Sequence, residues 1–167
     1  MWIRDALPKE CPTIRFVLFG DNSRLAESNS SQTVADLASF LVENLKASGF
    51  ASPAAKQLIF LAHSLGGIVL KEALDREHQQ MRHVAGAIFF AVPSRGMKMN
   101  AFLTVVSGQT NEGLVRDLTT ASEYLRLLDD RFFEVARRGM ELFWAYETKT
   151  TPTIVVSINL PQLRSRG

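Results

Sequence analysis

A single cysteine, Cys11, stands in the 167-residue chain, so no internal disulfide can form. Its place beside Pro12 fits a structural thiol in a reducing compartment better than a catalytic one. Histidine is scarce as well: His63, His78 and His83 are separated, and with one lone thiol they suggest no metal centre. No metal and no cofactor is expected. Charge of one sign is also missing, because 19 Lys and Arg oppose 17 Asp and Glu, leaving +2. The basic residues are scattered, which argues against nucleic acid or an anionic membrane surface as a partner. Nor is there a long apolar run. The longest, residues 84–93, falls well short of the roughly 20 residues that cross a bilayer. Met1 is followed by Trp, Ile, Arg and Asp, so no secretory signal is visible, and an intracellular, cytoplasmic protein is expected, with organelle association left open. Repeats and low-complexity linkers are absent. Both Gly-x-Gly-x-x-Gly and Gly-x-x-x-x-Gly-Lys-Ser/Thr are missing too, which weighs against nucleotide binding.

What remains is a chain that is 46% hydrophobic, enough for one domain over residues 1–160 with a tail at 161–167. Its most informative stretch is residues 58–67, Leu-Ile-Phe-Leu-Ala-His-Ser-Leu-Gly-Gly. Five apolar residues before His63 suit a strand covered on both faces, and Ile68, Val69, Ala73 and Leu74 supply a helical stripe after it. The chain must reverse between them. That strains the backbone at Ser64 and leaves room only for small neighbours, here Ala62, Gly66 and Gly67. Such an elbow thrusts the Ser64 hydroxyl out at a sheet edge, where the backbone N–H of Leu65 can face a developing oxyanion. The usual motif is Gly-x-Ser-x-Gly, and Ala62 stands at its first glycine.

Strands and helices alternate around this segment. Residues 14–19 read as a buried strand stopped by Gly20-Asp21-Asn22, and residues 21–32 as a polar loop. Val34, Leu37, Ala38, Leu41, Val42 and Leu45 fall at helical spacing, with Thr33 as N-cap and Gly49 just past the end. A strand over 84–92 ends at Pro93-Ser94-Arg95-Gly96, and two helices follow, the clearer opening with the capping box Thr120-Ala-Ser-Glu123 and turning Leu125, Leu128 and Phe132 inward. Further strands are expected over 141–146 and 153–158. The pattern predicts an α/β fold, a mostly parallel sheet with helices on both faces and a ligand site at the carboxyl ends of the strands. Asp21, Ser64, Ser94, Arg95 and Glu147 fall on that edge.

The ordered set Trp2-Ile-Arg-Asp-Ala-Leu-Pro8, Ala62-His-Ser-Leu-Gly-Gly67, Phe90-Ala-Val-Pro-Ser-Arg-Gly96 and Tyr146-Glu-Thr148 resembles the lipase-like serine esterases of the α/β-hydrolase superfamily, and most closely their serine-active-site-containing branch. In that branch the third motif usually reads Gly-Thr-Pro-His-Arg-Gly, so Ser94 replaces a histidine and Ala91-Val92 replace Gly-Thr. The resemblance implies a partial α/β-hydrolase fold and ester hydrolysis through an acyl-enzyme, with Ser64 as nucleophile and an acid and a histidine following in that order. Glu147 matches the acid position, though a solvated carboxylate closing a strand reads equally well.

No histidine follows Glu147. His63 adjoins Ser64 on a strand whose alternation points it away, His78 is about 20 Å along a departing helix, and His83 is about 30 Å away at the far end of the third strand. The resemblance also implies a strand before Trp2 that carries the superfamily's second oxyanion donor; that strand is missing from this sequence, and in the superfamily order its absence would leave a central slot between the strands at 14–19 and 58–62. The chain is therefore expected to be an internal piece of a hydrolase domain. Two functions compete. One is hydrolysis of an uncharged acyl ester or lipid-like substrate, with Phe19, Phe90, Val92, Met97, Met99 and Phe102 at the pocket rim and Ser94 and Arg95 binding substrate. The other is a non-catalytic module that keeps the scaffold and engages a protein partner. Arg95 reads first as a structural cap of a helix in the core and only second as a contact for an anionic group.

Overall fold

The computed structural model describes residues 5–20, 32–50, 52, 54–79, 81, 83–98, 112–120 and 122–146. Along these residues run α1 (Leu7–Glu10), α2 (Val34–Ala47), β1 (Leu58–His63), α3 (Leu65–Arg76), β2 (Val84–Phe90), α4 (Glu112–Asp117), α5 (Glu123–Ala136) and β3 (Glu141–Ala145). The strands form one parallel sheet in the order β1-β2-β3. Parallel neighbours need a crossover, and the path from β1 to β2 runs through α3, that from β2 to β3 through α4 and α5.

Register decides which side chains share a face. Phe60 pairs with Ala87 and Ala62 with Phe89, while Ala87 and Phe89 pair in turn with Leu142 and Trp144. This is the covered face. Phe89, fully buried, stacks on Trp144 at 4.4 Å between ring centroids and meets the edge of Phe132 from α5 at 5.6 Å. Helix α3 packs between α2 and α5, and Leu37, Leu41, Ile68, Leu74, Leu128 and Phe132 join one core. Each large apolar side chain so buried contributes about 1.5–3 kcal/mol. The other face carries Ile59 and Phe143, both 61% exposed, and Leu61, so β1 is covered on one face and not on both as its apolar run predicts.

Helix α2 forms where its stripe and caps require it. Thr33 Oγ1 accepts from the Asp36 N–H at 3.2 Å while Asp36 Oδ2 accepts from the Thr33 N–H at 2.8 Å, closing a capping box. Those donors hold the Asp36 carboxyl below its ordinary pKa. Gly49 lies past the C-terminus with φ of +80°.

Four further expectations are corrected. Residues 14–19 form no strand, and Ile14, Val17 and Leu18 are more than half exposed. A strand needs a partner for its N–H and C=O groups, and β1 pairs only with β2 among the described residues; the segment instead touches α2 through Phe19 and Phe40 and sets Arg15 over Phe50. Strand β2 stops at Phe90 rather than residue 92, because Ala91 turns to φ +48°. The α5 cap is Ser122, whose Oγ accepts from Leu125 N–H, not Thr120. Strand β3 ends at Ala145, one residue early. The strand expected over 153–158 lies outside the described residues.

Candidate functional site

The sharpest backbone feature lies between β1 and α3. Ser64 adopts φ +51° and ψ −128°, a conformation that costs an L-residue on the order of 1–3 kcal/mol. Its N–H donates to Phe90 O at 3.0 Å and its carbonyl accepts from Gly67 N–H at 3.0 Å, so the turn is locked to the end of β2 on one side and to α3 on the other. The Ser64 hydroxyl makes no capping bond to α3. Leu65 is the first helical residue, so its N–H has no acceptor within the helix and sits at the positive end of the α3 dipole.

Of the small neighbours expected to be obligatory, only one glycine is. A β-carbon on Gly67 would stand 2.2 Å from Val92 Cγ2, whereas one on Gly66 would meet nothing within 4 Å. The requirement at Gly67 comes from α3 lying against the segment after β2, not from the turn itself. Ala62 is buried.

The chain leaving β2 follows the same sheet edge. Ala91 N–H donates to Ala145 O at 2.9 Å, and Ser94 N–H and Gly96 N–H close tight turns on Val92 O and Pro93 O. Gly96, at φ +78°, leaves no room for a β-carbon against Thr119 O, and Met97 pairs with residues 118–120 through Met97 N–H to Leu118 O and Thr120 N–H to Met97 O. The segment is thereby held at both ends. Ser94 is half-buried, and Arg95 is exposed and forms no ion pair among the described residues. Met97 and Phe90 are half-buried and Val92 is occupied beneath Gly67, while Phe19 packs on Phe40 of α2; Met99 and Phe102 lie outside the described residues.

Beneath this edge lies a buried ionic layer that the sequence reading missed. Lys71 is 1% exposed; its Nζ donates to Asp129 Oδ1 at 2.5 Å and to Ser94 Oγ at 2.6 Å, and it stands over the Trp144 ring at 4.7 Å. Burial lowers its pKa, opposed by the hydrogen bond and charge of Asp129. Next to it, Glu72 is 2% exposed and accepts from Arg76 Nε at 2.5 Å and Tyr124 Oη at 3.0 Å, with Arg131 at 3.7 Å. Burial and the Glu72 carboxylate drive the Tyr124 phenol far above its ordinary pKa. Arg131 Nε also donates to Asp75 Oδ2 at 2.7 Å, tying α3 to α5.

No histidine reaches Ser64 among the described contacts. His63 pairs in register with Phe90 on the face with Ile59 and Leu61, His78 Nδ1 lies 3.3 Å from Asp75 O beyond the far end of α3, and His83 precedes β2, its carbonyl accepting from Leu58 N–H. Glu147 and Asp21 lie outside the described residues. Among the described residues no group of three His, Cys, Asp or Glu side chains is placed to hold a metal ion. Nor is any helix there long and apolar enough to cross a membrane.

The arrangement of the parallel sheet and its helices has a solved counterpart in fold. The crystal structure of Bacillus licheniformis lipase BlEst2 in mature form matches with a TM-score of 0.51 at 17% identity, covering 68% of this chain and 47% of that one. The fold is of the α/β-hydrolase kind. In sequence the chain is similar to Protein SERAC1 of Mus musculus, 23% identical over 163 residues and 90% of this chain, and to Protein SERAC1 of Danio rerio, 25% identical over 150 residues and 81% of this chain. It spans 24% and 22% of the length of those two proteins. No family model matches the sequence.

Proposed function

We propose that this chain carries the nucleophile side of a lipase-like serine hydrolase site for carboxylic esters. Ser64 forms the acyl-enzyme and Leu65 N–H faces the oxyanion, with Ser94 and Arg95 contacting substrate and Glu147 as the acid. The observation that carries this reading is the Ser64 turn, in which a strained backbone conformation is kept although the hydroxyl does no capping work. The lipase likeness in fold supports it.

Turnover by these 167 residues alone is proposed to be crippled. Without a base, the Ser64 proton has nowhere to go during attack, and losing the triad histidine of a serine hydrolase costs about a millionfold in turnover. The same observation favours a second reading, a non-catalytic module that retains the scaffold to engage a protein partner. Prolonged incubation with excess alkyl fluorophosphonate, read by mass spectrometry, separates the two. An adduct on Ser64 that is absent from Ser64→Ala supports the hydrolase site, and no adduct supports the module. Hydrolysis of p-nitrophenyl butyrate is expected to be no faster than in Ser64→Ala, and a serine-dependent rate would overturn the impairment.

A further inference from the structure

Nothing in the chemistry of Ser64 explains why α3 buries an ammonium. Desolvating Lys71 is costly, and an apolar residue of similar length would incur no such cost, so stability is not what a lysine adds at this place. It adds geometry. From α3, Nζ reaches Asp129 on α5 and Ser94 on the turn after β2, and the Phe89, Phe132 and Trp144 rings confine it.

An ammonium has three protons and no lone pair, so Ser94 Oγ can only accept from it. The hydroxyl proton is thereby turned away from Nζ and is left to donate elsewhere. Ser94 is half-buried, four residues past Phe90, whose carbonyl holds the Ser64 N–H, and its turn is fixed by Gly96 against Thr119 and by Met97 against Leu118 and Thr120. A donor so constrained loses little entropy when a ligand oxygen arrives.

We propose that Lys71 is a positioning residue that sets the Ser94 hydroxyl as a hydrogen-bond donor to the carbonyl oxygen of an ester or amide ligand beside Ser64. The location of the ligand rests on the serine-hydrolase reading; the orientation of the hydroxyl does not. Asp129 balances the charge of Lys71, and no bond is made or broken in this step.

The test uses N-butylbutyramide, a carbonyl ligand that is not cleaved, titrated into the full ¹⁵N-labelled chain and followed by amide shifts. Ser94→Ala is expected to weaken binding about five- to tenfold, the loss of one hydrogen bond. Lys71→Met should match it, the double variant should lose no more, and Ser94→Thr should recover wild-type affinity. Unchanged affinity in folded Ser94→Ala, losses that add in the double variant, or no saturable binding to the wild type would overturn the proposal. Should Lys71→Met fail to fold, Ser94→Ala against Ser94→Thr still decides. Failure of fluorophosphonate to mark Ser64 while amide binding keeps this pattern would remove the hydrolase reading alone.

Discussion

Gly67 lies directly against Val92, so close that a β-carbon on the glycine would stand 2.2 Å from Cγ2 and 2.8 Å from Cγ1. Gly67→Ala must therefore push the branched Val92 aside or lift α3 off the segment after β2, an overpacking cost of about 2–3 kcal/mol in urea unfolding. Gly66→Ala, one residue earlier and with open space around it, should be neutral or stabilise by up to about 1 kcal/mol through helix propensity. Adding Val92→Ala should recover part of the Gly67→Ala loss. Equal effects at the two glycines would mean that the turn, not the helix contact, demands them.

Ala91 holds φ +48°, in the left-handed region that favours glycine. A β-carbon in that region costs about 1–2 kcal/mol, while glycine gives back about 0.4–1 kcal/mol through unfolded-state entropy. Ala91→Gly is thus expected to be neutral to stabilising by about 1 kcal/mol, whereas most alanine-to-glycine changes destabilise. A loss above about 0.5 kcal/mol in thermal or urea unfolding would show that the strain is not borne at Ala91.

Local signals were legible where a single element decided its own structure. Thr33 and Gly49 bounded α2, and the apolar run into Ser-Leu-Gly-Gly placed the Ser64 turn. Residues 14–19 misled because β-branched content reports fitness for a sheet, and only a neighbouring strand makes one. Lys71 and Glu72 were missed because charges on a helix ordinarily mark its wet face. Here residues 67–74 are buried without interruption, and the two charges find partners on α5 that lie more than 50 positions away in the sequence. The one available signal was charge inside an otherwise all-round apolar helix.

Asp36 and Asp117 should respond to pH with opposite signs. The folded-state pKa of Asp36 is lowered by its Thr33 donors, so its stabilisation is full above the unfolded carboxylate pKa and is lost as pH falls through the lower folded value. That of Asp117 is raised, chiefly by burial and further by Glu72, so its contribution is favourable below the unfolded pKa and is lost as pH rises through the folded one. At neutral pH, Asp36→Asn should lower stability and Asp117→Asn should raise it. Both differences should shrink toward zero in acid, as followed by urea midpoints across a pH series. Same-signed effects at neutral pH would contradict the assigned environments.

The Lys71–Asp129 pair should show the asymmetry of a buried ion pair. Removing the cation with Lys71→Met leaves Asp129 with 26% of its side chain exposed, where water can solvate it, and fills the Trp144 cage with an apolar chain of similar length. Replacement of buried ionic groups by apolar ones is often neutral or stabilising, so this variant is expected within about 1 kcal/mol of wild type. Removing the anion is different. Asp129→Ala strands an ammonium that is 1% exposed with Ser94 Oγ as its remaining hydrogen-bond partner among the described residues, and should cost about 2–4 kcal/mol, within the range for breaking a buried pair. The cost should fall as pH rises toward the lowered pKa of Lys71, where the neutral amine no longer needs a counter-charge. In the double variant the Asp129→Ala penalty should vanish, because the charge it exposes to burial is gone. Equal losses from the two single variants would show that Lys71 and Asp129 act as ordinary packing, and would remove the physical basis for a lysine at this position.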